Sequence, residues 1–242
     1  MASARQLWAG ALLLALASCK PAEPDRVAAE RYDAFWLWAG VKPQPALAHA
    51  RTLYLLDGEI RASAPGRYLA LRPGLPSLPG KTLWLVVRTD TLDWPAKAAP
   101  ALAARLRAWA SAGNSVAGLQ VDFDARTRGL GRYALFLRAL RRDLPRPYRL
   151  SVTGLMDWSA NADPAALATL RGVVDEVVVQ TYQGRATIPG YEAWLAKLRG
   201  FPLPFKLGLV EGGAWRPPKG IEDEPNFRGY VVFLVNPPAA PR

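Results

Sequence analysis

Eight short apolar runs of strand length recur along this 242-residue chain, at 32–40, 52–59, 82–90, 116–124, 149–158, 176–183, 206–211 and 228–235. Helical segments separate most of the later ones. The stretch 95–113 sets Leu102, Leu106 and Trp109 at helical spacing and stops at a glycine. The stretch 133–144 reads as an amphipathic helix, with Leu135, Phe136, Leu140 and Leu144 on one side and arginines on the other. Pro164 occupies a favoured first-turn position for a helix to Leu170, and 191–198 reads as a helix after the sixth run. Strands alternating with helices predict parallel βα units, and eight of them in one domain predict a closed (β/α)8 TIM-type barrel. An open doubly wound sheet is the competing architecture, but no glycine-rich phosphate loop follows any strand. The first quarter is expected to be irregular. Its helices look short or absent, and the Pro/Gly-rich 61–81 has room for a small hairpin around Tyr68 to Leu71.

The N-terminus reads separately from the barrel. Arg5 precedes an apolar segment, Leu7 to Ala17, that is too short to span a bilayer as a stable helix. Leu16-Ala17-Ser18-Cys19 then resembles the bacterial lipoprotein signal. That resemblance implies cleavage before Cys19 and acylation, palmitate included, of the new N-terminal cysteine. Several acyl chains on one residue make a stable anchor. Lys20, rather than aspartate, follows the cysteine, which by the same resemblance implies the periplasmic face of the outer membrane. The expected organisation is a signal peptide at 1–18, a lipidated cysteine and flexible tether at 19–30, and one barrel domain at 31–242.

Cys19 is the single cysteine and His49 the single histidine. With Cys19 acylated, disulfides, cysteine nucleophiles and cysteine metal sites are excluded. A Ser-His-Asp mechanism would need His49, which has no partner pattern near it and reads as a surface residue. Neither a metal nor a cofactor is expected. Chemistry must rest on carboxylates, tyrosine, lysine or arginine. The formal charge of +11, mostly arginine, suggests an acidic neighbour or a solvated basic surface. No Lys/Arg run is long enough to mark a nucleic-acid partner.

Barrel enzymes of this type carry their sites at the C-terminal ends of the strands. Those ends hold Trp38, Asp57 with Glu59, Arg88 with Asp90, Asp122 with Asp124, Asp157 with Trp158, Gln180 with Tyr182, Glu211, and Asn236. Asp175 and Glu176 begin a strand and belong to the opposite, structural face. In Gln120-Val121-Asp122-Phe123-Asp124, alternation puts Gln120, Asp122 and Asp124 on one face, expected to line the mouth. Polar groups there are costly to bury without partners, so they serve either chemistry or structural bonding, for instance with Arg88, which points inward by strand parity. Two carboxylates flanking a scissile bond are the minimum for glycoside hydrolysis. Asp124 is expected to be the principal carboxylate, tuned by Asp122, with Glu211 or Asp157 as the second acid. Gln180 and Tyr182 would position a sugar. Trp38, Trp158 and Trp215 would stack on it or pack the rim. The expected partner is a carbohydrate polymer or oligosaccharide.

Two resemblances bear on these residues. Gln120 to Asp124, the helix at 133–144, Leu150-Ser151-Val152-Thr153-Gly154-Leu155, Val174 to Gln180 and Phe205-Lys206-Leu207-Gly208-Leu209 resemble a bacterial family known only as domain of unknown function 3142. That implies a barrel and no particular activity. More distantly, Asp122 and Asp124 are similar to the alternating acids of the fourth strand in chitinase-like glycoside hydrolases. Gln180-Thr181-Tyr182 resembles their substrate-holding tyrosine strand. In that family a catalytic glutamate lies two residues past the last aspartate. Arg126 stands there in this chain. The resemblance therefore implies a sugar-shaped cleft, and the family's proton donor is missing. Two readings remain open: hydrolysis with another acid, or a non-catalytic glycan-binding or structural envelope barrel.

Overall fold

The computed structural model describes residues 25–38, 40–72, 74–124, 129–158 and 164–236. Cys19 and the 1–18 segment, like Arg126, lie outside the described residues. Eight parallel strands close on themselves: β1 (Ala34–Leu37), β2 (Thr52–Ile60), β3 (Thr82–Thr89), β4 (Ser115–Asp122), β5 (Arg149–Leu155), β6 (Glu176–Gln180), β7 (Phe205–Val210) and β8 (Phe227–Phe233). Each pairs in parallel with the next, and β8 returns to β1 through Val232↔Phe35 and Phe233↔Trp36. This is the (β/α)8 barrel that the alternating pattern predicts.

Helices cover one side of the barrel: α1 (Ala98–Ser111), α2 (Leu130–Asp143), α3 (Pro164–Ala168) and α4 (Tyr191–Leu195) follow β3, β4, β5 and β6. Between β1 and β2 the chain makes only a 3-10 turn, Pro45–His49, which leaves His49 exposed. Tyr68–Ala70 folds back antiparallel onto the end of β2, as a small hairpin would. Beyond β7, the two-residue strands Asp25–Arg26 and Ala214–Trp215 pair antiparallel. Val27 and Ala29 are buried there, so 25–30 belong to the folded unit and not to the tether expected to reach residue 30.

Two cores result. The larger lies between strands and helices and holds Leu102, Leu106, Trp109, Leu137 and Leu140, with strand residues such as Leu85, Val121 and Val152. The smaller fills the barrel with Ala34, Trp36, Tyr54, Leu56, Trp84, Val86, Val178 and Val231. Tyr54 and Trp84 stack with centroids 5.8 Å apart. Leu135, assigned to the apolar side of α2 by spacing, is instead 66% exposed; the buried face is Leu130, Tyr133, Ala134, Leu137 and Leu140.

A polar column crosses the barrel interior. Trp36 Nε1 donates to Gln120 Oε1 (2.6 Å), and Gln120 Nε2 donates to Ser151 Oγ (2.9 Å). Ser151 Oγ and Tyr54 OH both donate to Glu176 Oε1 (3.0 and 2.7 Å), and Lys206 Nζ lies 3.2 Å from Glu176 Oε2. Gln120 is thus fully buried at mid-depth, below the mouth where alternation placed it. Each of its polar groups has a partner, which is the condition for burying it. Glu176 closes the floor and is structural, as its position at a strand start implies.

Register shifts occur between β2 and β3, between β3 and β4, and between β7 and β8, and the first two bear on what faces inward. Between β2 and β3, Leu56↔Val86 is followed by Gly58↔Val87, which leaves Asp57 as an extra residue. Between β3 and β4 the shift falls at Leu83/Trp84, opposite Gly118. A Cβ on Gly118 would sit 1.9 Å from the Arg149 carbonyl oxygen, so only glycine lets β4 and β5 pair there.

Candidate functional site

The C-terminal mouth opens into a cleft of about 640 Å³. Six of the residues picked out from the sequence line it: Trp38, Arg88, Asp122, Asp124, Gln180 and Tyr182. Each arrives from a strand end. Trp38 follows β1, Arg88 is the penultimate residue of β3, Asp122 ends β4 and Gln180 ends β6. Tyr182 opens a two-residue hairpin, Tyr182–Gln183 against Ala186–Thr187, which builds one wall.

One side of the cleft is aromatic. Tyr182 stacks on Phe233 (5.5 Å, 14° between planes), and Trp38 meets Phe233 edge-on at 5.6 Å. The Arg88 guanidinium lies 5.1 Å from the Trp38 ring centroid. Gln180 and Tyr182 line the cleft together. Burial, and then the charge of Asp122, push the Tyr182 hydroxyl well above the usual tyrosine range, so it remains protonated and can donate.

The other side holds the acids. Asp122 is only 8% exposed, and its Oδ1 accepts the Thr153 hydroxyl at 3.0 Å. Thr153 Oγ1 in turn accepts the Phe123 N–H at 3.1 Å, which fixes the backbone where β4 ends. Burial pushes the Asp122 carboxyl up to about 6, against the lowering effects of the Thr153 hydrogen bond and of Arg88; Asp124 and Glu59 add a smaller upward push. Asp124, past the last rung of β4, is exposed. A carboxyl poised near 6 exchanges a proton readily close to neutral pH. Among the described residues no group of three or more histidine, cysteine, aspartate or glutamate side chains is arranged to hold a metal ion.

The remaining candidates lie elsewhere. Asp157 is in the turn after β5 and does not line the cleft. Glu211 sits one residue past β7, where its carboxylate accepts the Val235 N–H at 3.1 Å and ties the ends of β7 and β8 together. Trp158 is 1% exposed and packs edge-on to Tyr133 of α2 at 6.3 Å. Trp215 is 4% exposed and stacks on Tyr191 of α4 at 4.9 Å. Both expected stacking platforms are therefore corrected to core packing, because a ring buried on both faces has none to offer a sugar.

Sequence reasoning missed Phe233 and Thr153, and named Glu59 as a strand-end acid without giving it a role. Ser151 and Thr153 alternate along β5 as Gln120 and Asp122 do along β4, so the same polar-alternation signal was present. Phe233 shares strand parity with the buried Val231. Glu59 faces inward beside Arg88, its register partner, and is held by Arg61 Nε at 2.6 Å.

Comparison with known proteins supports the architecture. Over 84% of this chain and 94% of the other, the fold is similar to a tamarind chitinase-like lectin, at 12% identity and a TM-score of 0.51. A xylanase and alpha-amylase inhibitor protein from Scadoxus multiflorus matches over 83% and 92%, also at 12% identity and 0.51. The chitinase domain of the spore coat protein CotE from Clostridium difficile matches over 88% and 73%, at 14% identity and 0.46. At 12% identity, the likeness to the lectin and to the inhibitor protein is one of fold alone. No curated protein matches the sequence. The segment 80–190, which carries Arg88, Asp122, Asp124, Gln180 and Tyr182, matches the family described as a domain of unknown function, DUF3142.

Proposed function

We propose that this barrel binds a glycan in the cleft at its C-terminal mouth. The observation that carries the reading is one open cleft lined by the aromatic wall of Trp38, Phe233 and Tyr182 together with hydrogen-bonding groups on Arg88, Asp122, Asp124 and Gln180. Flat rings cover the apolar faces of sugars, and the polar groups meet their hydroxyls. The lectin-like and inhibitor-like names among the structural neighbours accord with binding without turnover.

Hydrolysis is the second reading, favoured by the raised pKa of Asp122. Against it, both cleft carboxylates come from the end of β4, while Glu211 and Asp157 lie outside the lining. Two-carboxylate hydrolysis needs acids on both sides of the bond. Purified protein titrated with an oligosaccharide panel by calorimetry should bind at least one member. Trp38→Ala should weaken that binding by about tenfold or more, on the order of one lost aromatic contact. A panel with no ligand at all would overturn the reading. New reducing ends that disappear in Asp122→Asn would replace binding with hydrolysis.

The 16–19 signal supports an envelope address, with Cys19 as the acylated residue. Metabolic labelling with palmitate should mark the wild type and not Cys19→Ala; equal labelling would remove the anchor from this proposal.

A further inference from the structure

The outer face of α2 carries a feature that the cleft does not use. From 130 to 149 the chain has six arginines and one aspartate, Asp143. Arg132, Arg138 and Arg142 are exposed along the helix, and the exposed Arg146 follows its end; Arg149 instead turns onto Trp84 of the barrel interior, 4.9 Å from its ring centroid. Among the described residues no salt bridge joins Arg132, Arg138, Arg142 or Arg146 to a carboxylate; Arg141 alone in this stretch pairs with one, Asp175, at 3.5 Å. Arg138 and Arg142 are like charges one turn apart, which destabilise a helix slightly, so that pair costs the helix something.

The row begins at the mouth. Arg132 and Gly129 line a smaller hollow of about 270 Å³ together with Asp124, and Asp124 also lines the main cleft. From there the row descends the outside of the barrel, about 15 Å from Arg132 to Arg142 at the helical rise. Asp90 and Asp93 share the hollow with Arg132, so an anionic chain would meet the protein from Arg132 outward.

We infer that the row extends the glycan cleft and that the ligand is an anionic polysaccharide with a carboxylate on successive sugars. The inference rests on the glycan reading of the cleft. Guanidinium groups match carboxylates in a two-pronged geometry. Spread over about 15 Å of the helix, the arginines suit an extended polyanion better than a single small anion. A bilayer suits them less, because α2 turns its apolar face into the core and Leu135 is the exposed large apolar side chain on the row, too little to insert.

The full chain carrying Cys19→Ala, which cannot be acylated, is titrated at low salt with polygalacturonate fragments of increasing length. Affinity should rise with length and fall with salt. The triple variant Arg132→Ser, Arg138→Ser, Arg142→Ser should lose about tenfold or more for the long fragments, from three exposed charge pairs. It should retain any short neutral oligosaccharide that Trp38→Ala loses. The control Arg67→Ser, Arg199→Ser, Arg228→Ser removes the same charge from other exposed sites and should bind as the wild type does. An equal loss in the control would show net charge acting in place of the row. Unchanged affinity in the α2 variant, absence of polygalacturonate binding, or tighter binding to duplex DNA or to phosphatidylglycerol vesicles would each overturn the inference. The Trp38→Ala arm reads the cleft separately, so failure of the row and failure of the cleft are told apart.

Discussion

Asp122 shows how depth changes what a carboxylate does. It and Asp124 are two residues apart on one face, yet Asp122 is 8% exposed under Thr153 while Asp124 lies beyond the last rung of β4 and faces solvent. Alternation in the sequence identifies the shared face but carries no information about how far up the barrel the ladder ends. For that reason the leading acid role was expected of Asp124, whereas the proton-holding environment surrounds Asp122. Burial raises its pKa in the folded protein to about 6, above the ordinary aspartate value of about 3.9. A raised carboxyl stabilises the fold fully below its unfolded pKa, and that stability is lost as pH rises through the folded value. The loss should fall between about pH 4 and 6 and amount to about 3 kcal/mol for this shift. Asp122→Asn keeps an acceptor for Thr153 and cannot ionise. Chemical denaturation of both proteins across this range should therefore show the wild type losing stability relative to Asp122→Asn as pH rises. Parallel curves would mean that Asp122 is not the group held protonated.

At the level of elements, strand positions were readable because a barrel strand buried on both faces is a continuous apolar run. The irregular first quarter was readable from its proline and glycine content. Register was not. Asp57 and Glu59 end the same strand, and strict alternation would send both to the same face. The register shift at Leu56/Gly58 leaves them with different surroundings. Glu59 turns inward toward the mouth, while Asp57 is held by Arg105 of α1 and by the Tyr68 hydroxyl of the small hairpin. One strand end thus supplies a mouth acid and a structural anchor that pins helix and hairpin to β2. A bulge is set by what the neighbouring strand offers, so nothing in the local sequence announces it. The same limit applies to α2, where Leu135 lies within a helical period of apolar residues but falls on the arginine side. With Phe136, Leu137 and Leu140 alternatives nearby, the packing against α1 and α3, and not the spacing alone, sets the rotation of the helix.

The closed barrel concentrates its weakest joint beside its cleft. β2 and β3 pair from Thr52↔Thr82 to Ile60↔Thr89 with the single extra residue Asp57, whereas β8 pairs with β1 at Val232↔Phe35 and Phe233↔Trp36. Among the described residues no α-helix covers the β1–β2 connection, which makes the 3-10 turn Pro45–His49, or the β7–β8 connection, where Ala214–Trp215 pairs with Asp25–Arg26. Closure could be inferred from counting eight strands, but the strength of each seam depends on pairings distant in sequence. Local opening follows the regions with fewest ladder bonds and least cover. Amide hydrogen exchange should therefore be faster in 34–37 and 231–234 than in 83–87 and 119–121. Trp38 and Phe233 flank that seam and form the aromatic wall, so opening it takes the wall apart. A glycan that binds only the closed barrel should then slow exchange at 34–37 and 231–234 more than elsewhere, by mass action. Uniform protection around all eight strands, with or without ligand, would show that β8 closes onto β1 as firmly as β2 pairs with β3, and that the cleft does not draw on the seam.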